Sequence, residues 1–338
     1  MKKSLLTFAI IALVITVNAQ TIALHSSTGV QIFKGNTALV AAYSAANNTD
    51  TLYLSGHTFV PPTAFNKQLM IFGTGHYVDS TIATGKTFIN GSITLSDSAD
   101  LFYIEGLEIT GNFIFSNNHA VNGVNIKRCK INGTVEVFGD LSNPSTNLSL
   151  IGNVFMGALN LNNATNVLIA NNIFQGFITA TYGNQITNNV FMGGWQLNTW
   201  VYAVFSGDNN QLNNNVFVYT SGTASGAGNS FSNNLFVMAN PSYGTTSTAV
   251  NNYTGIAQSA IFVNQSGNLF NYTHDYNLKT PATYIGTDST VVGVFGGTFP
   301  YKAGAVPLNP HVQFKSIAPA TDVNGGLNIQ IKVKAQTN

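Results

Sequence analysis

Side chains able to move a proton or hold a metal are few and widely spaced in this chain. Between Phe102 and Phe236 the only carboxylates are Glu105, Glu108, Glu136, Asp140 and Asp208, and the only strong bases are Lys127, Arg128 and Lys130. General acid/base cleavage of a glycosidic bond uses two positioned carboxyl groups with separated pKa values. The hydrolytic set this inventory allows is Glu136 with Asp140 or Asp208 brought in by loops. The six His residues, at 25, 57, 76, 119, 274 and 311, do not fall at metal-ligand spacing, and the single Cys, Cys129, excludes a thiolate cluster. Asp97 and Asp100 would hold calcium only with partners from elsewhere, so both read as turn formers, as do Asp275 and Asp288. No cofactor is expected. A phosphate-binding Gly loop, a nucleophile elbow and an HExxH motif are all absent from the sequence.

What must position these groups is a repeat. One eight-residue pattern recurs as FYIEGLEI from Phe102, VNIKRCKI from Val124, LSLIGNVF from Leu148, VLIANNIF from Val167, NQITNNVF from Asn184, NQLNNNVF from Asn210 and NSFSNNLF from Asn229. The starts differ by 22, 24, 19, 17, 26 and 19 residues, which means a core turn of constant length with loops of varying length. The third residue is always apolar (Ile104, Ile126, Leu150, Ile169, Ile186, Leu212, Phe231), and strand alternation points it inward. The sixth is Asn153, Asn172, Asn189, Asn215 and Asn234 in the last five copies, and the eighth is Phe155, Phe174, Phe191, Phe217 and Phe236. An Asn at a sharp turn can take a backbone conformation costly for other residues and hydrogen-bond its copies above and below, so these five are expected to stack as a ladder. Cys129 takes the ladder position one copy earlier and is expected to be buried. A Gly two residues after the pattern, at 111, 133, 157, 176 and 193, marks the next bend.

Strand, tight Asn turn, strand, Gly bend and third strand in each repeat describe a parallel β-helix, a solenoid whose coils stack about 4.8 Å apart. With these columns the chain resembles the right-handed parallel β-helix proteins of the pectate-lyase-like superfamily, over residues 50 to 290. The resemblance implies an all-β, right-handed solenoid of a secreted bacterial type. That superfamily holds lyases, hydrolases, adhesins and proteins without known activity, so the fold alone does not choose among them.

The flanks fit that architecture. Met1-Lys2-Lys3 followed by an apolar run from Leu5 to Val17 reads as a signal peptide over residues 1–19, its apolar core too short to span a bilayer, so the mature chain is expected to be exported. Asn36 is positioned to cap a helix through TALVAAYSAANN that would cover the first coil. The segment from Asp275 to Gly297 is similar to the closing segment of many secreted bacterial β-helix proteins, giving a solenoid over 20–297. Residues 298–338 alternate as a hairpin around Asn324-Gly325-Gly326, expected to cover the last coil or lead to another surface.

Register then assigns the charged groups. Glu105 and Lys127 share the fourth position of neighbouring copies, and Glu108 and Lys130 the seventh, so each is expected to form a cross-strand ion pair of structural use. Arg128, the only Arg, sits beside Cys129 at the turn and reads as a packing residue. The thirteenth position of successive copies gives Ile114, Glu136, Asn160, Thr179 and Gln196, all outward, on the sheet where the resemblance places a substrate groove. One carboxylate among amides and a hydroxyl is poor for catalysis but suits contacts to sugar hydroxyls, with Trp200 and Tyr202 as aromatic partners. Composition agrees: in 338 residues only 7% are charged and the net charge is +1, which excludes a basic nucleic-acid binder and leaves a neutral hydrogen-bonding surface. The expectation is an exported, non-catalytic or weakly catalytic β-helix binding glycan or another extracellular surface. The rivals are a polysaccharide lyase or glycoside hydrolase using Glu136, Asp140 or Asp208, and a structural spacer or adhesin.

Overall fold

The computed structural model describes residues 20–140, 142–193, 205–219, 224–304, 306–307 and 310–335. The chain winds as a parallel β-solenoid whose three sheets are built from short strands of successive coils. In the first sheet, parallel strands follow one another from Thr51–Leu54 to Thr248–Val250. The second runs from Thr58–Phe59 to Leu235–Phe236, and the third carries Ile93–Leu95, Phe113–Phe115, Val135–Val137, Leu159–Asn160, Ile178–Tyr182 and Phe205–Asp208. Each repeat copy supplies its second to fourth residues to the first sheet and its seventh and eighth to the second. The stack runs past the seven copies at both ends: Thr51–Leu54 and Met70–Phe72 pair in parallel ahead of them, and STAVNNYT from Ser247 adds a copy after them, with Ala249 paired to Phe231.

Inside the coils, side chains stack on their own copies. Ile104, Ile126, Leu150, Ile169, Ile186, Leu212 and Phe231 are fully buried and in register. Phe155, Phe174, Phe191, Phe217 and Phe236 form a pile of near-parallel rings with centroids 4.6 to 5.1 Å apart and planes within 10°. Coil spacing sets that distance, and complete burial of each ring makes the column a large share of the core.

Asn153, Asn172, Asn189, Asn215 and Asn234 are all buried, and each Nδ2 donates to the Oδ1 of the Asn one coil on, at 3.0 to 3.1 Å, ending on Asn252. The same Oδ1 also accepts the backbone N–H of the Asn one coil back. These residues do not themselves take the costly backbone conformation expected of them. The residue before the sixth position does, in all eight copies: Gly106, Arg128, Gly152, Asn171, Asn188, Asn214, Asn233 and Asn251 have φ between 50° and 75°. Two neighbouring residues thus divide the turn, one bending the chain and the next tying the coils together. The opposite turn of the first sheet repeats the device. Gly183, Asn209 and Gly228 have positive φ, and after them Asn184, Asn210 and Asn229 form a second buried column with amide bonds of 3.2 Å. At the Gly bends the requirement is space rather than conformation, because a Cβ on Gly133, Gly157 or Gly176 would strike the carbonyl of the Gly one coil earlier.

Cys129 occupies the ladder position before Asn153, whose Oδ1 accepts its N–H at 2.9 Å. Burial pushes its thiol up to about 12. The native protein is therefore expected to resist thiol-specific alkylation at pH 8 and to react fully once unfolded. Rapid labelling of folded protein would displace Cys129 from the core.

Both ends depart from the sequence reading. At the N-terminus a hairpin, Thr21–Ser26 with Gly29–Lys34, pairs antiparallel to the first coil strand. The helix α1, Ala38–Ala45, follows, with Ala38, Leu39 and Ala42 in the main core. Asn36 does not cap it: the preceding residue is Thr37, and no side chain bonds the helix start. At the C-terminus the stack stops near Tyr253, and the segment from Asp275 to Gly297 closes no coil. It belongs to a strap that turns back along the outside of the second sheet. There Ile261, Phe262, Tyr276, Leu278, Val292, Val294 and Tyr301 pack on the outward side chains Val154, Ile173, Val190, Val216 and Leu235 as a second core. The hairpin His311–Ile317 with Ile329–Lys334 follows the strap.

Candidate functional site

The outward column of the third sheet begins from strand alternation. In Val135–Val137 and its neighbours the flanking residues are buried and the middle one faces out. Register sets Thr94, Ile114, Glu136, Asn160 and Thr179 side by side on successive coils. These groups bond to one another: Asn160 Nδ2 donates to both carboxylate oxygens of Glu136 at 2.9 Å, and Thr179 Oγ1 donates to Asn160 Oδ1. Beyond Thr179 the next strand is Phe205–Asp208, where Ile178 pairs with Phe205 and Thr181 with Gly207, so a register shift sets Thr179 and Ala180 against the single Ser206, which in turn pairs with Ser225. Equal spacing had put Gln196 there. The 26-residue interval between the copies at Asn184 and Asn210 holds its extra residues before this strand rather than after it. Gln196, Trp200 and Tyr202 lie outside the described residues.

The two other carboxylates of the hydrolytic set are each bonded elsewhere. Asp208 stands three strands away, about 14 Å by ordinary strand spacing and outside the roughly 5 to 10 Å that glycosidases use. Its Oδ1 accepts the Ala227 N–H at 2.7 Å. Asp140 follows the Val135–Val137 strand in a turn, with Oδ1 accepting the Ser142 N–H at 2.8 Å. Asp100 likewise fixes a loop, through the Asn122 N–H at 2.6 Å, and Asp97 pairs with His119. Among the described residues no three His, Cys, Asp or Glu side chains gather as metal ligands.

The ion pairs follow register in one case and not in the other. Glu108 accepts from Lys130 at 3.1 Å, as the shared position requires, and also from Lys86 at 3.0 Å and Asn132 at 2.9 Å. Burial works to raise its pKa, but the Asn132 bond and the two ammonium groups outweigh it and hold the carboxyl below the usual range. Glu105 pairs instead with Arg128 Nη1 at 3.2 Å, while Lys127 lies over the Tyr103 ring, 5.2 Å from its centroid. The positive φ of Arg128 turns its side chain outward, across the coil toward Glu105.

Sequence reasoning missed the strap's contacts with the turn. Asn171 donates to the Val294 and Gly296 carbonyls at 2.9 and 2.7 Å, Asn233 donates to the Ile285 carbonyl at 2.9 Å, and Asn214 Oδ1 accepts the Thr287 N–H at 2.8 Å. Farther along, Tyr272 OH bonds His76, which is fully buried and pushed down to about 3 by that burial, so it is neutral at physiological pH. No family model, curated protein or solved structure matches the chain.

Proposed function

We propose that the chain is an exported, right-handed β-helix of the pectate-lyase-like kind that binds a neutral glycan, or another extracellular surface rich in hydroxyls, along the third sheet without cleaving it. The observation that carries this reading is the column itself: hydroxyl, amide and one carboxylate groups at coil spacing, each oriented by the next. Such groups recognise hydroxyls by hydrogen bonds. Chemistry at a glycosidic bond would need a second acid or base, and the group that Glu136 bonds is the Asn160 amide.

A glycan array on the purified protein, read beside an assay for new reducing or unsaturated ends, tests the proposal. Binding without cleavage is expected, and Asn160→Ala with Thr179→Ala should weaken it. Glu136→Gln keeps an oxygen for the Asn160 amide, so binding should persist with no activity to lose. Loss of an acid/base group typically lowers a rate by about a hundredfold to ten-thousandfold. A wild type that cleaves a polysaccharide, with a Gln variant that does not at unchanged stability, would make the protein an enzyme.

A further inference from the structure

Where the strap meets the early coils, beside the Tyr272–His76 contact, lies a recess of about 360 Å³. Six of its wall residues are aromatic: Tyr77 from the coil side, and Phe270, Tyr272, Tyr276, Phe295 and Tyr301 from the strap. Their planes cross. Tyr77 stacks on Tyr272 with centroids 4.4 Å apart and planes 9° apart, Phe270 stands at 77° to Tyr272 and lies within 2° of parallel to Tyr276, and Phe295 stands at 74° to Tyr301. Parallel rings form a platform for a flat ligand, whereas crossed rings enclose a compact one.

The polar atoms of the walls are largely engaged already. Tyr272 OH donates to the His76 carbonyl at 2.9 Å, Tyr77 OH to Asp79 at 2.5 Å and Tyr276 OH to Met192 Sδ at 3.5 Å. Asn271 Oδ1 accepts the Thr273 N–H at 3.0 Å, and Asn277 Nδ2 donates to Asp275 at 2.8 Å. No Lys or Arg lines the recess, and its one carboxylate is Asp275. Asp275 makes no ion pair among the described residues; its Oδ1 also accepts the Asn277 N–H at 2.9 Å. Burial lowers the pKa of His274 and leaves it neutral. One of the rings takes a cation from the coil side, where the Lys130 ammonium, 3.1 Å from Glu108, lies 5.6 Å from the Tyr272 centroid.

We propose that this recess binds a small quaternary ammonium ion, such as choline. An ammonium without N–H groups asks for no hydrogen-bond acceptors, and its methyl groups spread the charge over an apolar surface that ring faces attract. Asp275 supplies the opposite charge. A Lys-type ammonium, by contrast, is strongly hydrated and would leave N–H groups without acceptors among the rings. The recess is built by the strap, so it stands or fails independently of the third-sheet column.

Calorimetric titration of the whole protein with choline, and with the neutral isostere in which carbon replaces its nitrogen, tests the assignment. Choline should bind, the isostere should bind at least about tenfold more weakly, and glucose should not displace choline. Asp275→Asn keeps the oxygen that accepts from Asn277 but removes the charge, and should weaken choline by about fivefold. Each ring that meets the ion is worth about twofold to thirtyfold in affinity, so Phe270→Leu should weaken choline within that range and leave the isostere unchanged. Asp275 is partly exposed, so its variant carries the test even if Phe270→Leu disturbs the packing. Co-sedimentation with phosphatidylcholine vesicles would assign the group to a lipid headgroup, and choline binding without it to a free solute. Absence of choline binding, equal binding of the isostere, displacement by glucose, or unchanged choline affinity in a folded Asp275→Asn protein would each overturn the proposal.

Discussion

Asn189→Leu is expected to lower the free energy of unfolding by about 3 to 5 kcal/mol, since several buried groups lose a hydrogen-bond partner at once. Asn189 Nδ2 donates to the carbonyls of Ile169 and Thr187 and to Asn215 Oδ1, at 2.9 to 3.0 Å. Its Oδ1 accepts the backbone N–H and the amide of Asn172. Leucine has similar bulk but satisfies none of these, and the site is too enclosed for water to replace it. Because each coil of a solenoid contacts only its neighbours, the damage should also split unfolding near the middle of the stack. Urea denaturation checks this against Asn213→Ala, a half-buried residue on the next coil whose loss should cost within about 0.5 kcal/mol. A loss under 1 kcal/mol at Asn189 would mean that the columns decorate the turn without holding it.

The fold was legible because three columns repeat at fixed offsets: the apolar third residue, the sixth-position Asn and the eighth-position Phe. What stayed hidden had physical reasons. Asn171 and Asn172 are chemically identical neighbours, so sequence alone does not tell which bends the chain and which bonds the next coil. The second Asn column begins only at Asn184, because Phe102, Val124, Leu148 and Val167 fill that position in earlier copies. The strap did leave a sign. At the seventh position Glu108 and Lys130 give way to Val154, Ile173, Val190, Val216 and Leu235, and a row of apolar side chains on an outward face demands a cover. The site column was legible up to Thr179. Beyond it, the variable insertion moved the register, and spacing no longer named the neighbour.

That demand leads to the largest effect: a chain ended at Thr254 is expected to be insoluble, although it retains every parallel coil. Truncation would bare Val154, Ile173, Val190, Met192, Val216, Val218 and Leu235, now all 3% exposed or less. At about 1.5 to 3 kcal/mol for each fully buried side chain, the cost is on the order of 10 kcal/mol, comparable with the whole stability of an ordinary domain. The bared surface would also be a flat β face with a continuous apolar stripe, which favours association between molecules. A gentler lesion separates docking from folding. Val294→Asp puts a carboxylate against this face, where Val294 is 1% exposed, and should release the strap while the coils remain. Limited proteolysis should then cut between residues 256 and 301 and leave a fragment ending near Tyr253 that aggregates. A truncated chain that stays monomeric and melts at the temperature of the full protein would show that the strap is ballast, and that the apolar seventh position needs another explanation.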